Sequence, residues 1–87
     1  MAAYRLLIKA SATKDLEAVG TKIDRQRIVK RVQTLAINPR GHGSEKLAGY
    51  ADRYRVRQGL YRIIYLDDDV RREVTIFKIG HRKDVYR

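Results

Sequence analysis

At 87 residues, without a cysteine, the chain has room for one domain around one modest core. Neither a disulfide framework nor a thiolate metal site is open to it. Twenty Lys and Arg against ten Asp and Glu give a net charge of +10, an attraction for polyanions such as nucleic acid or an acidic protein. The apolar run near the start, Leu6-Leu7-Ile8, is too short for a secretory signal of roughly 7–15 residues or a membrane span of about 20. A cytoplasmic protein with no membrane partner is expected.

Residues 4–10, YRLLIKA, read as a short strand. Ser11 follows as a good helix N-cap and Gly20 as the stop, with Leu16 and Val19 on the inner side of a short helix. Thr21 can cap a second helix, with Asp24 three residues on as a weak capping box. Ile28, Val29, Val32, Leu35 and Ala36 then recur at helical spacing, while Arg25, Arg27, Lys30 and Arg31 take the outer positions. Asn38-Pro39 ends this helix.

The segment 40–53 carries glycines at 41, 43 and 49 and reads as a loop over Leu47. After it the period changes to two. RYRVRQ and YRIIYL form strands about a Gly59-Leu60 turn, DDDVRR makes the next turn, and EVTIFKIG is a last strand. The order β-α-α-β-β-β predicts a single α+β domain over residues 1–87, two helices packed on one face of a largely antiparallel sheet.

Pairing about Gly59-Leu60 sets Arg57 against Arg62, Val56 against Ile63 and Tyr54 against Tyr65. One face then carries Tyr54, Val56, Tyr61, Ile63 and Tyr65; the other carries Arg53, Arg55, Arg57 and Arg62, with Ile64 and Leu66 at its far end. Like charges directly opposite one another destabilise a sheet. An anion held between Arg57 and Arg62 would relieve that cost, because guanidinium forks match phosphate oxygens. The plainer alternative is a solvated basic face whose arginine stems cover apolar surface.

The stretches KLAGYADRYRVRQGLYRIIY and VTIFKIGHRKDVYR resemble the RelE/ParE superfamily of bacterial toxins, and the resemblance covers nearly the whole chain. The sharper signal is the closing Gly-His-Arg-x-x-Val-Tyr of residues 80–86, which is more similar to the RNA-cleaving RelE branch than to the gyrase-poisoning ParE branch. This resemblance implies the toxin of a type II toxin–antitoxin pair, with a cognate antitoxin as partner. It further implies an endoribonuclease that enters the A site of the 70S ribosome and cuts mRNA there. The 2′-hydroxyl attacks the adjacent phosphate, leaving a cyclic phosphate and a 5′-hydroxyl. The family's site residues fall here on Arg62, Arg82 and Tyr86, and its basic strand pair on Arg55 and Arg57. Arg53, Lys46 and Lys83 join them as RNA contacts.

One departure bears on the chemistry. Where the best-known RNA-cleaving member has two lysines, this chain has Arg55 and Arg57. A guanidinium holds its proton up to a pKa above about 12, so both can bind phosphate but neither is a general acid. His81 is the candidate acid, since imidazole titrates near neutrality. Tyr86 is the candidate base, although a free phenol with a pKa near 10 serves only if arginines favour its phenolate. His42 reads as a loop residue without a role. Asp67, Asp68 and Asp69 read as a solvated turn, and no metal or cofactor is expected because arginines supply the charge. Two other classes stay open: a ParE-like inhibitor of DNA gyrase that catalyses nothing, and a non-catalytic nucleic-acid-binding module.

Overall fold

The computed structural model describes residues 3–41, 43–49 and 52–81. Chain order is β1 (Arg5–Ile8), α1 (Ala10–Glu17), α2 (Lys22–Ile37), β2 (Glu45–Lys46), β3 (Arg53–Gln58), β4 (Tyr61–Asp68) and β5 (Glu73–His81). The strands form one sheet in the order β1-β5-β4-β3-β2, with β1 parallel to β5 and every other pair antiparallel. Both helices pack on one face.

Apolar residues of that face close the core. Ile28, Val32 and Leu35 of α2 meet Val56, Ile63, Tyr65, Val74, Ile76 and Ile79 of the sheet, with Ala12 and Val19 from the α1 side. Full burial of each Val or Ile contributes about 1.5–3 kcal/mol. The Tyr65 hydroxyl donates to the Pro39 carbonyl, which ties the end of α2 to the centre of the sheet. Burial pushes that phenol up to about 12.

Local expectations met different fates. Thr21 caps α2 as read, accepting from the Asp24 amide at 3.2 Å. Ser11 does not cap α1. The helix starts one residue before it, after Lys9, and the Ser11 hydroxyl instead donates to the Phe77 carbonyl at 3.3 Å. Gly20 does not stop α1 either, because the helix ends at Glu17 and Arg25 Nη1 donates to the Val19 carbonyl at 2.7 Å. Val29 faces outward rather than into the core. The expected loop contains the two-residue strand β2, whose pairing with Tyr54 and Arg55 adds a fifth strand.

The hairpin has the register read from sequence, Gln58 with Tyr61 through Arg53 with Leu66. Gly59 takes a φ of 61° at the first turn position, a left-handed conformation that glycine adopts without a Cβ penalty. At the other end of the sheet Asp67 is buried and Asp68 still belongs to β4, so of the three carboxylates only Asp69 lies in the exposed turn. Arg40 Nε lies 3.3 Å from Asp67 and its Nη1 2.8 Å from Asp69, while the Tyr4 hydroxyl donates to Asp69 at 2.7 Å. Burial, with Asp69 adding to it, holds the Asp67 carboxyl above its usual range; the Tyr4 hydrogen bond holds Asp69 below its own.

These directions fix a pH dependence. A raised Asp67 favours the fold at low pH and loses that contribution as pH rises through its folded value. A lowered Asp69 contributes above its unfolded value and loses that as pH falls. Arg40 lowers both carboxyls, so removing it raises both and costs most where both are ionised. Arg40→Ala is expected to lower the melting temperature more at pH 7 than at pH 5. Equal losses at the two pH values, read by thermal denaturation, would dismiss the charge pairing as the cause.

Candidate functional site

The face turned away from the helices is built from rows of paired residues. One row crosses the sheet as Glu45, Arg55, Ile64 and Lys78. Toward the hairpin turn the next row is Arg57, Arg62 and Gly80; on the other side lies Arg53, Leu66, Thr75 and Leu7. Directly opposed residues stand about 5 Å apart at Cβ and diagonal ones about 7–8 Å. Arg62 therefore has Arg57 opposite it, Arg55 and Lys78 on its two diagonals, and a residue without a side chain, Gly80, across from it. Ile64 forms an apolar floor beside these cations.

A bulge decides what β5 brings to this face. Ile64 pairs with Lys78 but Tyr65 pairs with Ile76, so Phe77 is an extra residue in the ladder. Ile76 and Ile79 are both buried in the core, which leaves Phe77 and Lys78 together on the open side. Phe77 lies under two cations there, Lys9 Nζ at 4.5 Å and the Arg53 guanidinium at 4.6 Å from the ring centre. A regular strand counted from Val74 and Ile76 would have sent Lys78 inward and His81 outward. One inserted residue exchanges them.

His81 accordingly stands on the helix side. It pairs with Tyr61, and the two rings meet edge to face at 5.9 Å. Both line a cleft of 420 Å³ together with Asp15, Ala18 and Val19, and Lys78, Ile79 and Gly80 of β5 also line it. Asp15 Oδ2 accepts the Ile79 amide at 3.1 Å, so α1 holds the edge of β5 where β1 has ended.

The sequence candidates thus divide. Arg53, Arg55, Arg57 and Arg62 share the open face, as read from the hairpin. Lys46 does not join them; it pairs with Tyr54, on the helix side. Arg82, Lys83 and Tyr86 lie outside the described residues, as does His42. Sequence reading missed Glu45, which β2 delivers to the arginine face with Oε2 2.7 Å from Arg55 Nη2. The hydrogen bond and charge of Arg55, aided by Arg62 and Arg57, hold its carboxyl below the usual range. Among the described residues no group of three His, Cys, Asp or Glu could hold a metal ion, and no helix is long and apolar enough to cross a membrane.

A second surface lies between the helices. Leu16 and Val29 line a largely apolar groove of 570 Å³ together with Lys22, Arg25, Lys30 and the acidic Glu17.

Comparison with known proteins agrees with this architecture. Residues 6–86 match the family described as ParE toxin of type II toxin-antitoxin system, parDE. Toxin RelG of Mycobacterium tuberculosis is 27% identical over 84 residues, 97% of each chain. The toxin–antitoxin complex RelBE2 of the same organism superimposes with a TM-score of 0.80 at 25% identity, covering 93% of this chain and 100% of that one. The isolated RelE toxin of E. coli gives 0.77 at 26%, covering 91% and 84%. The archaeal RelE–RelB complex of Pyrococcus horikoshii gives 0.79 at 25%, covering 97% and 100%.

Proposed function

The chain belongs to the RelE/ParE family of type II toxin–antitoxin toxins, and on that premise we propose that it is an endoribonuclease that cuts mRNA in the ribosomal A site. The observation that carries the reading is the placement of Arg62 on the open sheet face with Arg57 opposite it and Arg55 and Lys78 at its diagonal positions. Cleavage by a 2′-hydroxyl needs positive charge where a phosphorane-like transition state forms, and preorganised cations provide it without reorganisation. Arg62 sits closest to the scissile phosphate in this scheme, with Arg82 from the closing segment as its partner. Tyr86 takes the 2′-hydroxyl proton as a phenolate that the arginines favour. Arg53, Arg55 and Arg57 hold the flanking phosphates, with Lys83; the helix-side placement of Lys46 removes it from this set.

A cognate antitoxin is the protein partner. RelE toxins of comparable fold occur in complexes with RelB antitoxins. The groove at Leu16 and Val29, where three cations outnumber the one carboxylate of Glu17, suits an apolar segment flanked by acidic residues. It would add burial to ion pairs that contribute only about 0–1 kcal/mol each at a surface.

Incubating the protein with ribosomes programmed by a defined mRNA tests the reading. The expected products end in a 2′,3′-cyclic phosphate and a 5′-hydroxyl. The ParE description of the matching family favours a second reading, binding of DNA gyrase without catalysis. Trapped gyrase–DNA complexes with intact mRNA would replace the first reading with the second.

A further inference from the structure

We propose that Lys78 is the general acid that protonates the leaving 5′-oxygen, an assignment that rests on the endoribonuclease reading. The reaction needs a proton donor at that oxygen. Four side chains of the arginine face, Arg53, Arg55, Arg57 and Arg62, are guanidiniums, which hold their protons. His81, the imidazole nearest in sequence, lies across the sheet against Tyr61 and Asp15. Lys9 also reaches the open face, but its ammonium sits over the Phe77 ring, and β1 is separated from β4 by β5.

Lys78 meets the geometric requirement. The bulge turns it to the open face, its partner is Ile64, and it is the diagonal neighbour of Arg62. Its flexible four-carbon stem ends in a primary ammonium with transferable protons. Gly80, next on the same side of β5, puts no side chain opposite Arg62.

The step balances as follows. Tyr86 phenolate removes the 2′-hydroxyl proton, and the 2′-oxygen attacks phosphorus. The bond from phosphorus to the 5′-oxygen breaks with its electron pair on oxygen, which takes a proton from Lys78 Nζ. A 2′,3′-cyclic phosphate and a 5′-hydroxyl result, with Lys78 left as a neutral amine and Tyr86 as a neutral phenol. Exchange with water restores both.

A leaving group that needs no proton isolates this role. Wild type, Lys78→Arg and Lys78→Met are compared in single turnover on ribosome-bound mRNA carrying either oxygen or sulfur at the scissile 5′ position. A thiolate leaves unprotonated. Both variants are expected to lose about 10²–10⁴ in rate on the oxygen substrate yet stay within about a factor of ten of wild type on the sulfur substrate. Lys78→Arg keeps charge and length, so its failure on oxygen separates proton transfer from phosphate binding. Equal losses on both substrates, or wild-type rates on oxygen, would overturn the assignment. Wild type that cuts neither substrate would remove the endoribonuclease reading itself, and Lys78 with it.

Discussion

In a folded Arg62→Ala protein, single-turnover cleavage of ribosome-bound mRNA is expected to slow by about 10²–10³, the range for losing one preorganised transition-state donor. The reason lies in the rows of the sheet. Arg62 is the position with Arg57 opposite it and Arg55 and Lys78 on its diagonals, so its loss removes the centre of this basic patch rather than its rim. Arg57→Ala, at the exposed edge of the same row, should cost less. The fold should survive, because the neighbours Tyr61 and Ile63 carry the helix-side contacts. Unchanged cleavage by Arg62→Ala, with an unchanged melting curve, would remove this residue from the site.

Tyr86→Phe should lower the same rate by about 10²–10⁴, the usual worth of a positioned proton-transfer group. It keeps the ring and deletes only the hydroxyl, so packing is held constant. His81→Gln makes the natural companion. With its imidazole against Tyr61 on the helix side, it should cleave at nearly the wild-type rate. Full activity in Tyr86→Phe would pass the base role to Glu45, a carboxylate on the arginine face that Arg55, Arg62 and Arg57 hold ionised. Glu45→Gln would then show the loss that Tyr86→Phe did not.

The hairpin was legible because two independent signals agree on it. Alternation of Tyr54, Val56, Ile63 and Tyr65 sets the inner face, and Gly59 marks a turn that only one register satisfies. The arginine face followed directly. Helix α2 was legible from its spacing, although Val29 lies at the margin of the stripe and faces the groove beside Leu16. Strand β2 was not legible, since two residues, Glu45 and Lys46, carry no period. What places them is pairing with β3, and that pairing exchanged the expected Lys46 for Glu45 as the charge on the open face. The start of α1 was misread because Ser11 has a partner far away in sequence, the Phe77 carbonyl, which no local pattern reports.

The bulge was the costliest omission. In VTIFKIG the run Ile76, Phe77 looks the same whether the strand is regular or carries an extra residue. Burial of both Ile76 and Ile79 exists only once the core is assembled. That single fact turns His81 toward the helices and Lys78 to the open face.

It also bears on how the closing motif is to be matched between relatives. Column-by-column equivalence assumes that the side chains of two strands alternate in phase, and a one-residue bulge breaks that assumption for every position after it. A relative without the extra residue at Phe77 would present to the open face what this chain turns toward α1. Two toxins could then share the letters of Gly-His-Arg and place the histidine on opposite sides of the sheet. Homology along this strand is set by ladder register, and the gap belongs between Ile76 and Lys78.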